Sequence, residues 1–153
     1  MNGLSSLSFM SRWNAVYDQL KKGDYVFIQF GHNDQKKKTD RYSDPDTAYK
    51  NNLRFYINQT REKGATPVLF TSIVRRKFGE DGKLIDTHGR YISACKEVAA
   101  EMNVVCIDLN KSTENLINSL GDEPSKDLFM WVAPGTCTAI PQGREDATHL
   151  RVQ

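Results

Sequence analysis

Three observations predict an α/β fold built on a parallel sheet. Short apolar runs alternate with amphipathic helical stretches, in the order strand, helix, strand, helix, strand, helix. The run at 25–30 is nearly continuous in apolar residues, the pattern of a strand buried on both faces, that at 67–73 is a second buried-strand candidate, and 104–107 reads as a short strand. Between them, apolar residues recur at offsets of three and four, which places them on one side of a helix.

Each element follows from its residues. Ser8 is placed to cap a first helix whose apolar side carries Phe9, Trp13, Val16, Tyr17 and Leu20. Lys21 and Lys22 suit its negative end, and Gly23 stops it. Tyr25 to Phe30 form the first strand, and a polar loop runs from His32 to about Asp44. A second helix carries Tyr49, Leu53, Tyr56, Ile57 and Thr60 on one side and ends at Gly64. The second strand runs from Pro67 to Ile73, its proline tolerable at the first position. The charged, glycine-bearing stretch from Val74 to His88 reads as a long loop, a type of segment that often carries function. A third helix from Tyr91 to Met102 leads into a short strand, Val104 to Ile107. A fourth helix passes through Leu116, Ile117 and Leu120 to Gly121, and Pro124 to Arg144 reads as irregular.

The chain has 153 residues, enough for one ordinary domain spanning 1–153. A net charge of +2 gives no reason to expect nucleic acid. The basic runs Lys36-Lys37-Lys38 and Arg75-Arg76-Lys77 read first as solvated loop faces, with attraction to an acidic polysaccharide as the alternative. No apolar stretch approaches the roughly 20 residues that cross a bilayer. Met1 to Ser6 have neither the basic nor the apolar region of a signal peptide. Cys95, Cys106 and Cys137 are odd in number and lack CxxC spacing, which argues against a disulfide framework and a zinc site. Cys95 and Cys106 fall in apolar patterns and read as small core residues.

In parallel sheets ligands bind beyond the carboxyl ends of the strands, which puts Gly31-His32-Asn33-Asp34 on the functional rim. No GxGxxG follows any strand, and no phosphate-binding loop is present. A glycine there permits a sharp turn, and the Asn33 amide can donate to a developing oxyanion. The bland alternative is a plain strand-to-loop turn. Near the other end, Asp146 and His149 have the spacing that sets both side chains on one side of a helical turn or tight loop. A carboxylate so placed can hold one imidazole nitrogen as N–H while the other faces a hydroxyl. The alternative is that Asp146 merely caps a C-terminal helix. Trp131 and Phe78 could stack on a sugar, although packing is the default for both.

The two blocks, in this order on this scaffold, resemble the SGNH (GDSL-type) hydrolases, and within them the rhamnogalacturonan acetylesterase-like carbohydrate esterases. VFIQFGHNDQ at 26–35, GATPVLFTSIVRR at 64–76, GKLIDTHGRY at 82–91, SKDLFMWVAPG at 125–135 and EDATHLRVQ at 145–153 carry the resemblance, and NGLSSLSF near the start adds to it. It implies a three-layer α/β/α, flavodoxin-like fold. It also implies that Asn33 and the backbone N–H of Gly3 hold the oxyanion, that His149 is the general base, and that Asp146 orients it. The family's Gly-Asp-Ser block, which bears the nucleophile, has no counterpart in these residues. Ser5, Ser6 and Ser72 read as caps or turn residues rather than replacements. The expectation is therefore a domain truncated at both ends, lacking the first strand and the helix that follows the catalytic histidine.

Several functional expectations follow from the resemblance. The complete enzyme removes acetyl groups from pectic polysaccharide through a serine acyl-enzyme, without metal or cofactor, in an extracellular or periplasmic setting. The chain by itself is expected to be inactive or partner-dependent, with strand pairing or homodimerisation through the edge the missing strand would occupy. Two alternatives stand beside this reading: a carbohydrate-binding remnant of the same fold, and an SGNH lipase or esterase for other esters.

Overall fold

In the computed structural model, which describes residues 3–151, the chain divides into two compact units. The terminal residues 1, 2, 152 and 153, which begin and end the expected 1–153 domain, lie outside the described residues. The first unit comprises Met1–Ser72 with His88–Leu109, and the second Ile73–Thr87 with Asn110–Gln153.

The first unit holds the predicted parallel sheet. Strands β1 (Tyr25–Gln29), β2 (Thr66–Phe70) and β3 (Val105–Ile107) lie in that order, all parallel. Helices α1 (Met10–Tyr17), α2 (Ala48–Glu62) and α3 (Arg90–Glu101) supply its core. Trp13, Leu53, Tyr56, Ile57, Ala94 and Val98 pack with Ile28 and Leu69 into one cluster. This burial, worth about 1.5–3 kcal/mol for each large apolar side chain, is what holds α2 and α3 on the sheet. Salt bridges Lys50–Glu97 and Arg54–Glu101 join the two helices at their exposed side. Such exposed pairs add little, because water screens them and holding two long side chains together costs entropy.

Two local expectations are corrected. Ser8 does not cap α1: Phe9 occupies the N-cap without a side-chain bond, and the Ser8 hydroxyl accepts from the Ser5 amide at 2.9 Å. The serine cluster satisfies its own backbone in a turn, the competing use of such side chains. Nor is β1 buried on both faces. Ile28 is buried, whereas Tyr25 and Phe27 are 68% and 70% exposed, and Val105 and Ile107 of β3 share their face. Among the described residues β1 pairs only with β2.

The second unit is organised around Val74, Ile117 and Phe129, with Phe78, Leu84 and Leu128 packed against them. It contains α4 (Leu109–Leu120), a short helix α5 (Asp122–Ser125) with a 3-10 turn at 126–128, and an antiparallel pair, β4 (Phe129–Val132) with β5 (Arg144–Leu150). The stretch expected to be irregular thus begins with a helical turn and a strand. Pro134 and Pro141, in its second half, sit in the connection between β4 and β5, where no ladder amide is needed.

Candidate active site

In the first unit β1 ends at Gln29, and residues 31–34 beyond it are fixed by one buried carboxylate. Asp34 is fully buried. It accepts the amides of Ser6 at 3.0 Å and Gly31 at 3.0 Å, and the Ser6 hydroxyl also donates to it. Burial pushes its carboxyl above the ordinary value, and the hydrogen bonds from Ser6 and Gly31 oppose that only in part. Asn52 donates to the Ser6 hydroxyl at 2.9 Å, and Tyr56 donates to the Ser6 carbonyl at 2.6 Å. Gly31 has φ +128°, and a side chain there would put its Cβ 2.7 Å from the Ser72 hydroxyl. Both facts require glycine.

This frame brings the two predicted oxyanion residues together. The Asn33 side-chain amide donates to the Leu4 carbonyl at 3.3 Å, and a Cβ added to Gly3 would lie 2.8 Å from Asn33 Nδ2. The segment from Gly3 to Ser6 and the block from Gly31 to Asp34 thus form one assembly, tied by Asp34. The three serines considered as substitutes for a nucleophile are engaged in the scaffold. The hydroxyl of Ser6 donates to Asp34, that of Ser72 donates to the Phe30 carbonyl at 2.9 Å, and that of Ser5 pairs with Ser8. His88 is buried, and its Nε2 lies 3.3 Å from Nδ1 of His32, the residue beside Asn33.

In the second unit Asp146 and His149 meet, through a strand irregularity rather than a helix. Met130 pairs with Asp146 and Phe129 with Leu150, so residues 147–149 bulge out of the ladder. Asp146 organises the bulge: its Oδ1 accepts the amides of Thr148 and His149, each at 2.9 Å. Its Oδ2 accepts the Nδ1 proton of His149 at 2.8 Å. Burial pushes the Asp146 carboxyl up, but the His149 and Thr148 amides and the His149 ring together outweigh it and bring it down to about 2. Arg144 also pairs with Oδ2, at 2.7 Å. The Asp146 side chain is 11% exposed and that of His149 68%, so a largely shielded carboxylate holds an outward-facing ring. Asp146 caps no helix.

Sequence reasoning missed two residues. Asp34 stands inside the recognised block, yet its role as the frame shows only in its burial. Arg76 looked like part of a solvated basic run and is buried instead. Its guanidinium donates to the Asp122 carbonyl at 2.7 Å, pairs with the Asp122 carboxylate and lies 4.9 Å from the Trp131 ring centre. Its amide donates to the Ala147 carbonyl at 2.8 Å, inside the bulge. Lys126 also lies over Trp131, 5.1 Å from the ring centre. The indole is thus engaged by cations, in keeping with the packing role that was its default.

Residues 2–135 match the GDSL-like Lipase/Acylhydrolase family. The chain belongs to this family. It is 42% identical over 150 residues to the rhamnogalacturonan acetylesterase RhgT of Bacillus subtilis, covering 97% of this chain and 63% of that protein. It is 37% identical to the probable rhamnogalacturonan acetylesterase YesY of the same organism, covering 98% and 66%. The chain therefore spans less than two thirds of the length of each. The crystal structure of B. subtilis YxiM superposes with a TM-score of 0.70 at 26% identity, covering 84% of this chain and 36% of the other. A catalytic mutant of the acetylxylan esterase of Geobacillus stearothermophilus gives a TM-score of 0.65 at 19% identity, covering 96% and 60%. The last likeness speaks to the fold alone. Together with the observed parallel sheet and its helices, these matches establish for this member the α/β SGNH-hydrolase fold expected from its sequence.

Proposed function

We propose that this member of the GDSL-like family supplies the base and oxyanion groups of a carbohydrate acetylesterase acting on acetylated pectic polysaccharide, rhamnogalacturonan in particular. The observation that carries the reading is the Asp146–His149 pair, a half-buried carboxylate fixing Nδ1–H of an exposed imidazole. In this reading His149 Nε2 takes the proton of an attacking serine as it adds to the acetyl carbonyl. The oxyanion that forms is held by the Asn33 side chain and the Gly3 N–H. His149 then gives the proton to the departing sugar oxygen, leaving an acetyl-enzyme, and afterwards deprotonates the water that releases acetate. The hydroxyls of Ser5, Ser6 and Ser72 are engaged in the scaffold, so the serine is to be supplied from beyond these residues. The identity with RhgT supports the choice of substrate. Its polymeric size accords with action outside the cytoplasm. The open edge of β1 supports pairing with another chain.

The test is acetate release from acetylated rhamnogalacturonan and from an aryl acetate, by the chain alone and with an added polypeptide bearing a Gly-Asp-Ser strand. Release that needs the added strand and is lost in His149→Ala supports the reading. Turnover by the chain alone, abolished by His149→Ala, overturns the external serine. Glycan binding with no release under either condition favours a carbohydrate-binding role.

A further inference from the structure

The bulge that carries the Asp146–His149 pair is satisfied from two directions. From within, Asp146 Oδ1 takes the amides of Thr148 and His149. From outside, the Arg76 amide donates to the Ala147 carbonyl at 2.8 Å. Residues 147–149 have left the ladder with β4, so a carbonyl there needs a donor from elsewhere. Arg76 supplies it from the stretch 71–77, which has no regular structure of its own. No helix or ladder fixes the backbone at residue 76, which leaves that task to its side chain and to the turn in which Lys77 donates to the Arg75 carbonyl.

The Arg76 side chain is only 6% exposed. Its Nε donates to the Ser125 hydroxyl at 3.1 Å and to the Asp122 carbonyl at 3.2 Å, and Nη2 donates to the same carbonyl at 2.7 Å. Nη2 also pairs with the Asp122 carboxylate. The guanidinium thus grips Asp122 and Ser125, the two ends of α5. It also lies against Trp131, which pairs with Glu145, the residue before Asp146. One residue therefore meets the bulge on both sides, by its amide at Ala147 and through Trp131 at the strand that enters it. A planar fork of donors can hold these partners in a fixed geometry, whereas an ammonium offers one point of charge.

The His149 side chain is largely exposed, so little packing aims its ring. Its direction follows from the backbone of the bulge and from Asp146, and a small error in the direction of a base costs rate steeply. We propose that Arg76 is a positioning residue for His149: it fixes the bulge from outside and so sets where the ring held by Asp146 points. This rests on the reading of His149 as the general base. It gives Arg76 no contact with substrate, and its effect passes through the Ala147 carbonyl and the β4–β5 pair.

The experiment uses the full chain and reads the ring-nitrogen shifts of His149 together with amide hydrogen exchange. In Arg76→Met the His149 shifts should move toward the average of the two tautomers, because Asp146 no longer holds Nδ1–H continuously. The amides at positions 76, 148 and 149 should exchange about tenfold faster or more, while the Ile117 amide of α4 changes less. Asp122→Ala removes a carboxylate whose side chain is 55% exposed and leaves the Asp122 carbonyl, so it should move the same signals the same way by less. It decides the question by these readouts if Arg76→Met does not fold. With the added Gly-Asp-Ser polypeptide, kcat in Arg76→Met should fall by about tenfold or more at little-changed KM. The nitrogen shifts need no turnover, so an unsubstituted chain that releases no acetate fails the esterase reading and leaves this test readable. A purely structural role for Arg76 would lower stability without moving the ring nitrogens. Unmoved His149 shifts in the variants that fold, or equal acceleration at Ile117, overturn the proposal.

Discussion

Replacing Asp34 with alanine tests whether one carboxylate fixes both oxyanion segments. The substitution removes the acceptor of two amides, Ser6 N and Gly31 N, and of the Ser6 hydroxyl, all in a buried setting. A buried donor left without an acceptor costs about 1–3 kcal/mol, so the two amides alone give about 2–6 kcal/mol. Relief of the desolvation that raises the Asp34 carboxyl offsets part of this, leaving a net loss of about 2–4 kcal/mol. Asp34→Asn keeps the shape but turns an NH2 group toward one of the donors, so it should lose about half as much or more. Urea unfolding is the assay, followed by the fluorescence of Trp13 in a Trp131→Phe background, because Trp13 is buried in the same unit as Asp34. With a slope near 1–3 kcal/mol per molar, the midpoint should fall by about 1–2 M at unchanged slope. Ser6→Ala alone should cost less, because its amide keeps the carboxylate. The double variant should fall short of the sum by about 1 kcal/mol, since both changes remove the same hydroxyl contact. A loss below about 1 kcal/mol for Asp34→Ala would refute the idea that this carboxylate is the frame.

The other predictions concern the oxyanion pair, the bulge and the open sheet. Gly3→Ala puts a methyl 2.8 Å from Asn33 Nδ2. It should shift the Asn33 side-chain amide resonances while changing stability by less than about 1 kcal/mol; unmoved resonances would mean the two are not in contact. Asp146→Asn removes the acceptor of Nδ1–H, so nitrogen shifts of His149 should lose the Nε2-lone-pair tautomer as the dominant form; an unchanged tautomer ratio would show that Asp146 does not orient the ring. The Asp146 carboxyl is depressed from 3.8 to about 2, so it favours the folded bulge above pH 3.8 and loses that effect as pH falls through about 2. This contribution, no more than about 2 kcal/mol, should be missing from the acid-unfolding curve of Asp146→Asn. The exposed Tyr25 and Phe27 and the open β1 edge should make the chain self-associate in sedimentation velocity, and Phe27→Lys should weaken that. A monodisperse, stable monomer would count against it.

Periodicity made most of the fold legible because it reports burial of one face, as in α2 and α3, and because a continuous apolar run reports burial of both, as in β2. It failed where a polar cluster chose between two uses of the same atoms. Ser8 could have capped α1, but Ser5 and Ser8 satisfy one another in the preceding turn. It failed again at β4, where Phe129 to Val132 are apolar but lie among residues typical of turns. Of the candidate site, the Asp146–His149 contact was readable from spacing, whereas the means of bringing it about was not. A spacing of three residues is made equally well by a helical turn or by a bulge, and only the pairing with β4 decides between them. Asp34 and Arg76 were hidden for a common reason. A charged residue in a polar stretch looks solvated until the donors or acceptors that pay for its burial are seen around it.

The misreading of β1 carries the most physical information. Its residues are apolar on both sides, as in strands covered on both faces, yet Tyr25 and Phe27 are exposed, with Val105 and Ile107 beside them. Folding of this unit alone does not require four large side chains on an open face, since the helices supply its core from the other side. Polar residues there would keep the sheet and raise solubility. Covering an apolar face of this kind would yield about 25 cal/mol for each Å² removed from water. The same residues that made the sequence look doubly buried make the sheet a surface that gains by being covered. This links the expected edge pairing of β1 to the composition of the face and not to its hydrogen bonds alone. Phe27→Lys, which leaves every backbone donor and acceptor of β1 in place, separates the two: if it abolishes self-association, the face drives it, and if association persists unchanged, the edge does.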